Sequence, residues 1–334
     1  MKQMTNQIDL QGYVFNIAGQ NGLLYRGTVN NPESKMNGVE YINGTINVAT
    51  DEDGANVVPV RFNFVTEKYG KSGKENPAWA VLNDIESGNK TWEAQGKEGA
   101  YKIRLTCSAS SNPFVGNDGK MVDRPSINVN FAHPANNGFN ENQCNTFKFD
   151  MVIVNFAMRE VEDGDDYGVI NGYVFDSYRK EATPVSLVVR MPEAISYFEG
   201  LDASTANPVF QTVWGNIVST TIRHEQEVEN AFGAPQITYT TSTQREWVVT
   251  GAAMDPGEFG DEAIITENEL VECLNNHENV IAAAQKRYDA RKNSGNAFAE
   301  NSSAARQRAV YNAEVSVQNN VPMKTFGSVS DFQF

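Results

Sequence analysis

The chain has few of the residues on which most site chemistry depends. Of its 334 residues, three are cysteine and three are histidine. Cys107, Cys144 and Cys273 lie far apart and form no CxxC or Cys/His cluster. That spacing speaks against structural zinc and predicts reduced thiols. His133, His224 and His277 stand in no HExxH motif and beside no candidate nucleophile. Walker A, GxGxxG and GxSxG sequences are missing as well. The acidic runs Asp51-Glu52-Asp53-Gly54 and 160–166 lack the spacing of a calcium loop. The expectation is therefore a protein without metal, cofactor or catalytic set, and an unrecognised hydrolase is the weakest of the alternatives. No apolar run approaches the ~18–20 residues that cross a bilayer, and Met1-Lys2-Gln3-Met4-Thr5 opens without an apolar stretch. Both observations predict a cytoplasmic chain with no membrane partner.

What the chain has is acid, strand-forming segments and aromatic residues. The net charge is −15, but it is uneven. Residues 1–150 hold 14 basic and 16 acidic side chains, a net of −2, and the remaining 184 hold 13 and 26, a net of −13. A polyanion is repelled by most of the second half. It can still meet a local basic groove on the first, because salt limits the reach of each charge to about 8–10 Å.

Short strands separated by turns fill most of residues 8–255. Asp-Gly at 53–54 marks a hairpin, and Val58, Val60, Phe62 and Phe64 alternate with Pro59, Arg61 and Asn63 on the strand after it. The period changes to helical at Pro77–Ile85 and returns to strand at 101–106 and 127–131. Three strands, a helix and two strands is the order of the five-stranded OB barrel. The order then repeats. Ile42-Asn43-Gly44 matches Ile170-Asn171-Gly172, Val58-Pro59-Val60 matches Thr183-Pro184-Val185, and a helix from Pro77 matches one from Pro192. The prediction is mainly β: two tandem OB-like barrels over 1–135 and 146–255, joined by a polar linker, with a single larger sandwich as the alternative. A capping box at Thr266 and Glu269 opens a helix over 266–291, which either covers the second barrel or mediates self-association. Residues 293–334 read as a flexible tether.

One constellation combines cations with rings. Lys68, Tyr69, Lys71 and Lys74 occupy a Gly/Ser loop that follows Arg61, Phe62 and Phe64. Trp79 and Trp92 flank the next turn of structure. Tyr101, Lys102 and Arg104 share the following strand, with both cations on one face. Phe114, Lys120 and Arg124 fall in the long loop at 108–125, where an OB barrel has a ligand-gripping loop. Cations that follow a backbone, with rings on which bases stack, are what a sequence-tolerant single-strand binder requires. The same rings suit core packing, and the same lysines a solvated loop.

The layout as a whole resembles bacterial and bacteriophage single-stranded DNA-binding proteins: an OB core, a low-complexity tether and a short acidic-aromatic end, here Asp331-Phe332-Gln333-Phe334. This end has one acid where that family has several. The resemblance implies non-catalytic binding and protection of single-stranded DNA, or RNA, in replication or recombination. It also implies recruitment of replication proteins through Asp331, Phe332 and Phe334 and, for a phage product, the host cytoplasm; self-association is expected of the acidic second barrel or the 266–291 helix. The competing expectation is a phage structural or host-takeover protein whose barrels bind other proteins.

Overall fold

The computed structural model describes residues 4–18, 23–69, 73–116, 118–135, 145–161, 165–228, 236–259 and 264–293, with backbone alone at 220–243 and 293. The tether and the terminal tip lie outside the described residues.

Five strands of the first half close on themselves. β1 (Asn6–Ile17) pairs with β3 (Glu40–Ala49) and with β5 (Lys102–Ser111), both antiparallel. β3 pairs with β4 (Val57–Val65), β5 pairs with β8 (Pro125–Pro134), and a parallel bridge from Arg61 to Asn128 shuts the ring. That parallel closure between the third and fifth strands of an otherwise antiparallel barrel is the OB topology. β2 (Tyr25–Thr28) adds an edge strand beside β3. Two short helices, α1 (Pro77–Ile85) and α2 (Trp92–Gly99), fill the connection between the third and fourth barrel strands. Asn76 caps α1 by accepting from Ala78 N–H, Pro77 occupies the first turn, and Ala78, Val81, Leu82 and Ile85 enter the core.

The second half repeats the ring. β9 (Asn145–Arg159) pairs with β10 (Tyr167–Asp176) and β12 (Val209–Val228), β10 with β11 (Glu181–Val189), and β12 with β13 (Gln236–Ala252). A parallel bridge from Val188 to Val248 closes it, and α3 (Pro192–Gly200) sits in the same connection as α1. The fold is thus mainly β, with two tandem five-stranded OB barrels and a C-terminal helix, α4 (Glu267–Asn293). The Thr266–Glu269 capping box forms: Thr266 N–H donates to Glu269 at 3.1 Å and Glu269 N–H to Thr266 at 3.3 Å.

Antiparallel pairing of β1 with β9, from Asn6 opposite Phe149 to Leu10 opposite Asn145, fuses the barrels into one 11-stranded sheet. Inward residues of both, such as Ile8, Ile103, Phe147 and Val213, belong to one buried cluster. Helix α4 covers the second barrel from outside. Its Leu270, Cys273 and Leu274 share a second cluster with Val152, Val154, Tyr173, Phe175 and Ala182, so the outer face is apolar and covered at β10, β11 and the Val152–Val154 stretch of β9.

Candidate nucleic-acid interface

On the first barrel the corresponding outer face is open and carries rings. Tyr25 is 57% exposed, Phe64 44% and Phe131 52%. The Tyr25 and Tyr41 rings are 6.0 Å apart, and Tyr41 stacks on Phe64 at 4.8 Å with an interplanar angle of 27°. Phe64 and Phe131 each stand three residues beyond the Arg61–Asn128 bridge on parallel strands. The four rings therefore cross β2, β3, β4 and β8 in spatial order, on the face with which OB folds bind oligonucleotides.

Two irregularities aim the phenylalanines. Strict alternation from Val58, Val60 and Phe62 turns the next even residue inward. A register shift between Ile42 and Gly44 interrupts the β3–β4 ladder, and Phe64 takes a left-handed backbone with φ of 51°. Val65 then enters the core in its place, and Asn43 Oδ1 accepts the Phe64 N–H. On β8 the shift falls between Thr106 and Cys107 of its partner, so Ile127 and Ala132 are buried while Phe131 points out. Bulges of this kind re-aim side chains beside functional sites. Each ring, about half exposed, forgoes roughly half of the ~1.5–3 kcal/mol that full burial contributes.

Cations flank the rings. Lys68 and Lys74 are exposed on the loop after β4, which Tyr69 N–H closes onto Lys74 O at 2.8 Å. Arg104 is exposed and pairs across the ladder with His133, one diagonal step from Phe131, which faces Thr106. Lys102 lies 5.6 Å from the centre of the Tyr13 ring. Arg61 is half-buried on the same outer surface as Asn128.

The remaining residues expected at the interface are elsewhere. Phe62 is 1% exposed and belongs to the core, because it lies inward of the bulge, so it cannot stack on a ligand. Trp79 packs against the core, with the Arg26 guanidinium 4.9 Å above its ring. Arg26 is in turn held by Glu86 at 2.7 Å, which holds that carboxyl below its usual range. Tyr101 also packs on the core, and burial, with Asp84 nearby, pushes its hydroxyl up to about 12. Trp92 meets Tyr13 edge-on at 5.6 Å beside Gly54, at the opposite end of β4 from Phe64.

The loop at 108–125 is not an open gripping loop. It folds into a small hairpin, β6 (Phe114–Val115) with β7 (Met121–Val122), and is tied to the second barrel. Ser111 N–H donates to Thr183 Oγ1 at 3.0 Å, and His277 of α4 meets Asp123 at 2.9 Å, both largely buried. Phe114 and Arg124 are half-buried there, desolvation lowering the Arg124 pKa, and Lys120 sits at the tip beside Asp118 at 3.9 Å. These three stand at the far end of β8 from Phe131. Lys71, Asp331, Phe332 and Phe334 lie outside the described residues.

The sequence reading passed over Tyr25, Tyr41, Phe131 and His133 as site residues. Tyr41 was readable, since Ile42 inward forces its neighbours outward. Phe131 was not, because the bulge that exposes it is a property of the ladder.

A family model described as YorF matches residues 16–285. The chain belongs to the YorF family. The match starts at the end of β1 and covers the rest of the first barrel, the second barrel and most of α4. No curated protein matches the sequence significantly. Two crystal structures of the single-stranded DNA binding protein from Thermus aquaticus are similar in fold. A deletion mutant is 12% identical with a TM-score of 0.45, over 78% of this chain and all of that one. The wild type is 12% identical with a TM-score of 0.42, over 77% and 98%. The OB assignment of the YorF chain rests on its own strand pairing.

Proposed function

We propose that this protein binds single-stranded DNA without turnover and shields it, through the outer face of its first barrel. The observation that carries this reading is the pair of bulges that turn Phe64 and Phe131 out of the core, in line with Tyr25 and Tyr41. A fold gains nothing in stability from exposing two phenylalanines on adjacent strands, whereas each base stacked on a ring gains about 1–3 kcal/mol. Lys68, Lys74, Arg104 and Lys102 supply phosphate contacts at the edges of the track, and Lys71 belongs to the same loop. Action in phage replication or recombination, with Asp331, Phe332 and Phe334 recruiting a partner protein, completes the reading and rests on sequence alone.

The test is an anisotropy titration of labelled oligo-dT at several salt concentrations. Micromolar or tighter binding that weakens steeply with salt is expected. The strongly acidic total charge favours one alternative, a protein-binding barrel, and absence of binding at low salt overturns the single-strand reading in favour of that alternative.

A further inference from the structure

The rows of side chains across the fused sheet lead beyond the first barrel. From Phe131 the register runs without a break to Thr106, to Asp9, across the seam to Thr146, and on to Asn216 of β12. Inward neighbours along this path, Leu105, Ile8, Phe147 and Ile217, are buried, so these residues share one outer face. Two residues back along β12 on that same face is Trp214, 40% exposed, and directly opposite it on β9 is Lys148, also exposed. The indole lies flat across Gly251, where any side chain would collide with it. Lys148 has no carboxylate partner among the described residues.

The internal repeat gives this position a meaning. Trp214 precedes the β12–β13 register shift just as Thr106 precedes the β5–β8 shift, and Trp214 faces Gly251 just as Thr106 faces Phe131. The large and small partners are exchanged, but each barrel presents one ring at the same rung. In place of Asp9, which faces Thr106, the second barrel has Lys148 facing Trp214. Helix α4 closes the outer face of β10 and β11, so the open part of the second barrel is the part continuous with the first.

We infer that Trp214 and Lys148 form a second stacking and phosphate-binding point, which a single strand reaches after leaving the first barrel and crossing the β1–β9 seam. This rests on the single-strand reading given above. Four strand spacings separate β8 from β12, about 19 Å, so only a strand longer than one barrel needs can span both. Asp9 on the path is held by Gln7 at 2.5 Å and Thr106 at 3.2 Å. Gln7 faces Lys148 across the seam, so the cation of the second point stands at the crossing itself.

The experiment compares oligo-dT of about 6 and about 20 nucleotides, bracketing the occupancy of one OB fold, against full-length chains. Trp214→Ala is expected to weaken the long oligonucleotide at least fivefold and the short one less than twofold, with Trp214→Phe restoring most of the loss. Lys148→Ala is expected to reduce the salt slope by about 0.7 for the long oligonucleotide alone. Thermal melting of each variant checks that the barrels remain folded. Phe64→Ala is expected to weaken both lengths. If Phe64→Ala acts on both lengths while Trp214→Ala acts on neither, the second point is refuted and the first barrel stands. If neither oligonucleotide binds the parent chain, the single-strand reading itself fails.

Discussion

Replacing Phe64 with glycine separates the fold from the site. The residue has φ of 51°, a backbone state that strains a side chain by roughly 1–2 kcal/mol and that glycine adopts freely. Two terms oppose that gain. Glycine loses about 0.5–1 kcal/mol through the greater freedom of its unfolded chain, and the ring contact with Tyr41 at 4.8 Å contributes about 0.5–1.5 kcal/mol. The three nearly cancel, so Phe64→Gly should change unfolding stability by about 1 kcal/mol or less, in either direction. Binding has no such compensation. A lost stacking platform is worth about 1–3 kcal/mol, or roughly 5- to 150-fold in affinity. Urea denaturation followed by circular dichroism gives the first quantity, and anisotropy with labelled oligo-dT the second. Because the ring carries no charge, the salt slope should be unchanged while the whole line drops. A variant destabilised by more than about 3 kcal/mol would make Phe64 a packing residue. Affinity within twofold of the parent would remove it from the site, and with it the argument from the bulges.

Three further outcomes follow from the same structure. Phe62→Ala, two residues away but 1% exposed, should cost about 3–5 kcal/mol in urea denaturation while the folded fraction binds DNA normally. Arg104→Ala should lower the slope of log affinity against log salt by about 0.7, whereas Lys120→Ala, on the hairpin against α4, should leave it unchanged. Burial pushes the Cys107 thiol far up and the Cys273 thiol up to about 12. A folded Cys144→Ser chain should therefore resist a thiol reagent until denatured. Since both folded pKa values are raised, their contribution is complete below the ordinary thiol pKa of about 8.5 and falls as pH rises above it. The urea midpoint should decline from there upward, and a flat midpoint to pH 10 would contradict the burial.

The architecture was legible because it is written in local signals. Pro77 and Pro192 open helices, Asp53-Gly54 turns a hairpin, Thr266 with Glu269 starts α4, and the order of elements repeats. The site was legible only in outline. A sequence pattern assigns faces by counting in twos, and a single extra residue reverses the count for everything after it. Phe64 was placed on the same face as Phe62 and is in fact opposite to it, and Phe131 reads as a core residue for the same reason. The roles of Trp79 and of the 108–125 loop depended on contacts distant in sequence. Arg26 covers Trp79, and His277 fastens the loop through Asp123.

The two barrels show how one scaffold can be open on one copy and closed on the other. In the first, two residues, Asn63 and Phe64, separate the inward Phe62 from the inward Val65. In the second, Ser186 alone separates Val185 from Leu187, and the β10–β11 ladder runs from Gly168 to Asp176 without a shift. The residue that supplies the exposed ring is the extra one, and the second barrel has no counterpart to it. A regular ladder gives an even surface onto which α4 can pack through Leu270, Cys273 and Leu274. A bulged one, with Phe64 standing out of it, gives no such bed for a helix. Inserting an asparagine and a phenylalanine in place of Ser186 should therefore disturb the register of β11 and loosen α4, detected as faster amide exchange over 270–277. If α4 protection persists, the difference between the barrels lies in the helix rather than in the bulge.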